Sequence, residues 1–139
     1  MKAKVAIVGS KSLEGMESVY AIIDTILMNE TANLGQFILI NGGEDGVDTM
    51  AAEVALSRGI EYETALLREC LEGCNPGKSY CFAHSYEPRS KEIADQALII
   101  YRIFDEECGT STCEVTARFG DELGKRVVRI PMDAISVQS

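Results

Sequence analysis

The run Phe37-Ile38-Leu39-Ile40-Asn41-Gly42-Gly43-Glu44-Asp45-Gly46-Val47-Asp48 constrains the fold of this chain more than any other stretch. Four consecutive apolar residues read as a strand buried on both faces. Val47, Met50, Ala51, Val54 and Ala55 then recur at helical spacing. A strand that passes through a glycine turn into a helix is the opening of a parallel β-α unit. Gly42 and Gly43 admit backbone angles closed to other residues and let the main chain come close to a bound molecule. The free N–H groups at the start of the following helix favour an anion such as phosphate.

The same alternation runs along the chain. Val5 to Val8 reads as a first buried strand, and Val19, Ile22, Ile23, Ile26 and Leu27 as one face of a helix. Arg58-Gly59 is a helix stop, with a cation in the last turn and glycine beyond it. A third strand is expected within Ile60 to Leu67. Arg68 to Arg89 has little periodicity and reads as a long loop, with room for one short helix. A helix after Pro88 carries Ile93, Ala94 and Ala97, and Leu98-Ile99-Ile100-Tyr101 is a buried strand. Ser111 and Glu114 have capping-box spacing, opening a helix with Val115, Phe119 and Leu123 inward and Gly124 at its end. Val127 to Ile130 is the last strand, stopped by Pro131, and the tail 132–139 has no clear role.

Strands alternating with helices imply a Rossmann-like α/β three-layer sandwich, one domain over residues 1–139. Its parallel sheet has about five strands, with helices on both faces. Ligands of such sheets bind beyond the carboxyl ends of the strands, where strand order reverses. Gly9-Ser10, Gly42-Gly43 and Gly109-Thr110 all fall beyond strand ends in this reading. Three small-residue turns on one rim suit a nucleotide-like guest.

Charge narrows the partners. The chain has 13 basic and 22 acidic residues, a formal net charge of -9, without a basic cluster. Nucleic-acid binders displace phosphate counterions with Lys and Arg, so general nucleic-acid affinity is not expected. No apolar run approaches the ~20 residues of a membrane span. The short apolar N-terminal stretch ends in a glycine turn, and a cytoplasmic protein is expected.

With these motifs in order, the chain resembles the SLOG superfamily, named for the Smf/DNA-processing A and Lonely Guy proteins. The likeness spans Lys4 to Ile130 and is closest to small single-domain members. It is carried by Gly9-Ser10-Lys11, Gly42-Gly43-Glu44-Asp45-Gly46-Val47-Asp48, Arg89-Ser90, Gly109-Thr110, Ala117 and Gly124-Lys125. The resemblance implies a Rossmann-like fold that binds nucleotides or nucleotide-derived ligands. Its implied pocket residues are Gly9, Ser10, Lys11, Gly42, Gly43, Gly46, Asp48, Arg89, Ser90, Gly109 and Thr110. It also implies a homodimer or higher homo-oligomer. The chain departs from the family pattern at four places. Asp45 stands where an arginine is usual, Ser90 replaces an asparagine, Leu98 replaces an aspartate, and Cys113 replaces the glutamate of the hydrolase signature. Glu114 follows one position late.

The expected function is therefore binding of a nucleotide or nucleotide-derived phosphorylated small molecule, as a sensor or carrier. The alternative is an N-glycosidic hydrolase acting on a nucleoside monophosphate, with Arg89 holding phosphate and Glu114 assisting the sugar transition state. DNA handling and a structural subunit with a vestigial pocket are further readings. Several residues carry two readings each. Asp48 is either a first-turn carboxylate at N3, behind Asp45 as N-cap, or a ribose-hydroxyl partner. Thr110 serves as a cap or a ligand contact, and Glu114 as half of a capping box or an acid–base group. Cys70, Cys74, Cys81 and His84 share one loop. They read as free thiols beside a lone imidazole, a zinc set or a loop disulfide, at spacings of no metal motif. No metal and no cofactor are assigned. Cys113, beside Cys108 and near a helix start, is a possible nucleophile without an evident base.

Overall fold

A computed structural model describes residues 2–65, 86–105 and 111–132. In chain order its elements are β1 (Ala3–Gly9), a 3-10 turn (Lys11–Leu13), α1 (Glu17–Leu34), β2 (Phe37–Asn41), α2 (Val47–Ser57), β3 (Glu61–Thr64), α3 (Glu87–Gln96), β4 (Ile99–Phe104), α4 (Thr112–Glu122) and β5 (Arg126–Pro131). The five strands form one parallel sheet in the order β3-β2-β1-β4-β5. The Rossmann-like α/β class expected from the sequence is the class observed.

Topology sets the layers. From β1 the chain steps outward through β2 to β3, then resumes on the other side of β1 with β4 and β5. Right-handed crossovers in opposite directions place their helices on opposite faces. One apolar cluster accordingly joins the sheet to α1 and α2 through Val19, Ile23, Leu27, Val47 and Met50. A second joins it to α3 and α4 through Ile93, Ala94, Ala97 and Cys113. Strand order reverses between β1 and β4, where Val5 pairs with Ile99 and Gly9 with Ile103.

The third strand falls within Ile60 to Leu67 as expected, at Glu61–Thr64, and its side chains are exposed, as suits an edge strand carrying charge. Three local expectations are revised. Leu98 precedes β4 and is exposed, and the strand instead continues to Phe104, through the fully buried Arg102. Leu123 is 44% exposed, and α4 buries Cys113, Glu114, Thr116, Ala117 and Gly120. The cause is the neighbouring strand: Arg102 draws Glu114 inward, and a Cβ at Gly120 would lie 2.5 Å from Ile100 Cδ1. At the expected tail, Met132 is buried and its N–H donates to the Phe104 carbonyl at 2.7 Å. Most of the long loop (66–85), and residues 133–139, lie outside the described residues.

Arg58 does stop α2, and its guanidinium forks onto Asp24 of α1 at 2.8 and 2.7 Å. Among the described residues no helix is long and apolar enough to cross a membrane.

Candidate functional site

Two turns and one helix start meet at the carboxyl rim of the sheet. The turn after β1 is held by Ser10 N–H donating to the Ile103 carbonyl of β4 at 3.0 Å. The turn after β2 is held by its own side chains. Asn41 Oδ1 accepts from Gly43 N–H at 2.9 Å, while Asn41 Nδ2 donates to the Asp48 carbonyl at 3.0 Å. A single oxygen, Asp48 Oδ2, accepts from Gly42 N–H at 3.0 Å and from Glu44 N–H at 3.3 Å. This is the behaviour of Asx residues that replace backbone pairing in a turn. It adds to the expected place of Asp48 in the first turn of α2, and the expectation that Asp45 caps that helix is corrected. The N-cap is Gly46, which makes no side-chain cap bond, and Asp45 is exposed.

Gly46 brings the two turns together. It has φ +98 and ψ -131, and a Cβ there would lie 2.6 Å from both Lys11 Cα and the Ser10 carbonyl oxygen. Backbone cannot yield as a flexible side chain can. Gly46→Ala is expected to cost about 2–3 kcal/mol in urea unfolding, through strained φ/ψ and overpacking. A loss below about 1 kcal/mol would show that the turns can separate freely.

Between the turns and α4 lies a cleft of about 610 Å³. Gly9, Ser10, Lys11 and Gly43 line it, with Glu44 and Asp45 on the same wall. Ser111, Thr112 and Cys113, at the start of α4, complete it. Beneath the β2 turn is a small pocket of about 10 Å³, bounded by Gly42, Asp48, Arg89, Ser90, Thr112 and Thr116 among others. Of the expected pocket residues that are described, Gly46 lines neither space and the others divide between the two. Gly9 also has a packing role, since a Cβ there would lie 2.1 Å from the Ile103 carbonyl oxygen. Gly109 and Thr110, the third turn, lie outside the described residues, as do Cys70, Cys74, Cys81, His84 and Cys108.

Arg89 is the buried cation of the site, 4% exposed, rising from the first turn of α3. Its Nη1 donates to the Gly42 carbonyl at 3.1 Å, and its Nη2 lies 3.2 Å from Glu44 Oε2. Tyr86 places its ring centroid 5.2 Å from the guanidinium carbon. Gly42 must be glycine for this to happen, because a Cβ would lie 2.8 Å from Arg89 Cζ. Ser90 is buried, and its hydroxyl donates to the Thr112 carbonyl at 3.4 Å, joining α3 to α4.

Burial pushes the Asp48 carboxyl up to about 7, and the Glu44 carboxylate adds to the rise. The Glu44 and Gly42 amides and the charge of Arg89 act in the opposite direction. Glu114 faces elsewhere. Its Oε2 accepts from Arg102 Nη1, and its Oε1 accepts from Arg118 Nε at 3.2 Å with Arg129 Nη2 at 3.8 Å. It lines neither the cleft nor the small pocket beneath the β2 turn. Ser111 Oγ accepts from Glu114 N–H at 3.3 Å, so the serine half of the predicted capping box is made, while the Glu114 carboxylate is spent on the arginines. Cys113 is a buried free thiol whose Sγ accepts from Arg102 Nε at 3.2 Å.

Sequence reasoning missed Asn41, Thr112 and Arg102 as organisers. Two of them carried a signal. An asparagine directly before Gly-Gly suits an Asx turn. An arginine inside an apolar strand demands a buried partner.

No protein-family model and no curated protein matches this chain. Its fold matches solved structures. One is DNA processing protein A from Streptococcus pneumoniae, with TM-score 0.69 and 20% identity over 94% of this chain and 50% of that one. Another is the structural-genomics protein TM1055, with TM-score 0.61 and 24% identity over 91% of this chain and 72% of that one. The chain therefore spans about half the length of DNA processing protein A. These likenesses establish a Rossmann-like α/β fold.

Proposed function

We propose that this SLOG-type fold binds a nucleotide or nucleotide-derived phosphorylated small molecule in the rim cleft, acting as a sensor or carrier. The observation that carries the reading is the position of the cleft. It lies beyond the carboxyl end of β1, at the reversal of strand order, with a glycine turn on one wall and the N-terminus of α4 on the other. Arg89, buried behind the glycine turn, supplies a cation suited to phosphate. Glu44 and Asp45 on the wall suit ribose hydroxyls or amines, which donate to carboxylates.

The hydrolase alternative asks Glu114 to act on the sugar. Its carboxylate is engaged by Arg102 and Arg118 and lines neither space, which favours binding over hydrolysis. The -9 net charge likewise favours a small guest over DNA.

A thermal-shift panel of nucleotides tests the proposal. A ligand at one hundred times its dissociation constant stabilises the native state by about 2.7 kcal/mol, or roughly 5–10 °C for a chain of this size. No shift with any nucleotide at millimolar concentration would defeat the proposal.

A further inference from the structure

The Glu44 carboxylate is held as a bound oxyanion would be. Its Oε2 lies 3.2 Å from Arg89 Nη2 and accepts from Thr112 Oγ1 at 2.5 Å. Thr112 is the first residue of α4, so this oxygen sits at the positive end of an eleven-residue helix. A guanidinium, a hydroxyl and a helix start are the parts from which phosphate receptors are made. A second feature points the same way. Arg89 Nε is buried and has no hydrogen-bond partner, and Arg89 borders the small pocket beneath the turn. A guanidinium carries five donors in a fixed fork, and this one is incompletely used although it is 4% exposed.

The occupant differs from its receptor in burial. The Glu44 side chain is 37% exposed and sits just after Gly42-Gly43. Releasing a partly hydrated carboxylate to water costs far less than leaving a buried guanidinium without an anion. A phosphoryl group, with more charge and more acceptor oxygens than a carboxylate, could replace Glu44 and also reach the unused Nε.

We propose that Arg89, Thr112 and the N-terminus of α4 form a phosphoryl subsite, occupied in the free protein by Glu44, and that a ligand's phosphoryl group enters by displacing the Glu44 carboxylate. The inference rests on the nucleotide-binding reading and adds to it a specificity-determining residue. Glu44 sets a threshold that weakly charged ligands fail and dianionic ones pass. The relevant chemistry is the tetrahedral oxyanion, either free phosphate or the phosphate of a nucleotide.

Calorimetric titrations with inorganic phosphate and with adenosine monophosphate decide the matter, using the wild-type chain, Glu44→Gln, Glu44→Ala, and Glu44→Ala combined with Arg89→Met or with Thr112→Val. Glu44→Ala should bind inorganic phosphate about tenfold more tightly than wild type, because a like charge at contact distance is removed. Glu44→Gln should fall between them. The gain should vanish with Arg89→Met and shrink with Thr112→Val. Asp45→Asn, which removes a charge from the same cleft without touching Arg89, should change phosphate affinity much less. Circular dichroism and melting confirm that each variant is folded. Should Glu44→Met also be made, its similar volume guards against collapse of the turn. If Glu44→Ala and Glu44→Met bind phosphate no better than wild type while wild type binds the nucleotide, the subsite is overturned and the cleft reading survives. A gain that persists without Arg89 also overturns it. If no variant binds either probe, both readings fall.

Discussion

Glu114→Ala is expected to destabilise the protein by about 3–5 kcal/mol, the loss typical when one member of a buried ion pair is removed. Arg102 is 1% exposed and lies between the sheet and α4. Its guanidinium carbon stacks 4.0 Å from the Phe104 ring centroid, its Nε donates to Cys113 Sγ, and its Nη1 donates to Glu114. Neither an aromatic face nor a thiol can neutralise a full charge held away from water. Without the carboxylate, the arginine must either remain unpaired or pull α4 off the sheet. The melting temperature should fall by about 10–15 °C for a domain of this size. Glu114→Gln retains a hydrogen-bond acceptor and should lose less. The double variant Arg102→Met/Glu114→Leu should recover most of the loss, since an apolar pair of similar volume is commonly no worse than a buried ion pair. Chemical denaturation of the wild type and the three variants measures these losses. A loss under about 1 kcal/mol for Glu114→Ala would mean that water or Arg102 relaxation compensates the charge, and that this pair does not organise the helix.

Stability should fall as pH rises from about 4 to 7, and Asp48 is the reason. Its carboxyl is raised from the usual 3.8 to about 7, first by burial and then by the Glu44 carboxylate. A group with a raised folded-state pKa takes up its proton more readily when folded. Its contribution is fully present below the unfolded value and lost as pH passes through the folded one. The full span corresponds to about 4 kcal/mol. The informative quantity is the difference from Asp48→Asn, which isolates this carboxyl. Both amides of the turn bond to the one oxygen Oδ2. An asparagine carbonyl can accept both, so the turn keeps its shape while the charge is removed. Urea unfolding from pH 4 to 8 should show the variant gaining on wild type with rising pH, by several kcal/mol in all. Parallel curves would show that Asp48 is already ionised at pH 4 in the folded protein.

The fold was largely readable because its determinants are local. Apolar runs at Val5–Val8 and Phe37–Ile40 identify the buried central strands without any knowledge of their neighbours. Helical spacing in Val19, Ile23, Ile26 and Leu27 identifies the buried face of α1. Reading failed where a residue's surroundings come from distant parts of the chain. The phase of α4 was read only in part: Phe119 packs against the core as expected, but Glu114 and Thr116, being polar, were not expected to face inward toward a strand that carries Arg102. Asp48 was read as a first-turn carboxylate of its own helix or a ribose partner; it does lie in that first turn, and its carboxylate also braces the turn six residues behind it.

Glycine positions, apolar periodicity and helix stops were enough to determine an alternating α/β chain with turns beyond its strand ends, because each depends on residues only a few places apart. Which charges meet was decided by the tertiary structure alone. Arg89 and Glu44 are 45 residues apart in the chain, with strand β3 and residues 66–85 between them. They meet only because the strand order reverses at β1 and sets α3 and α4 behind the β2 turn. Electrostatic contact depends on distance through space and on the water excluded between the partners, neither of which is written in the order of residues.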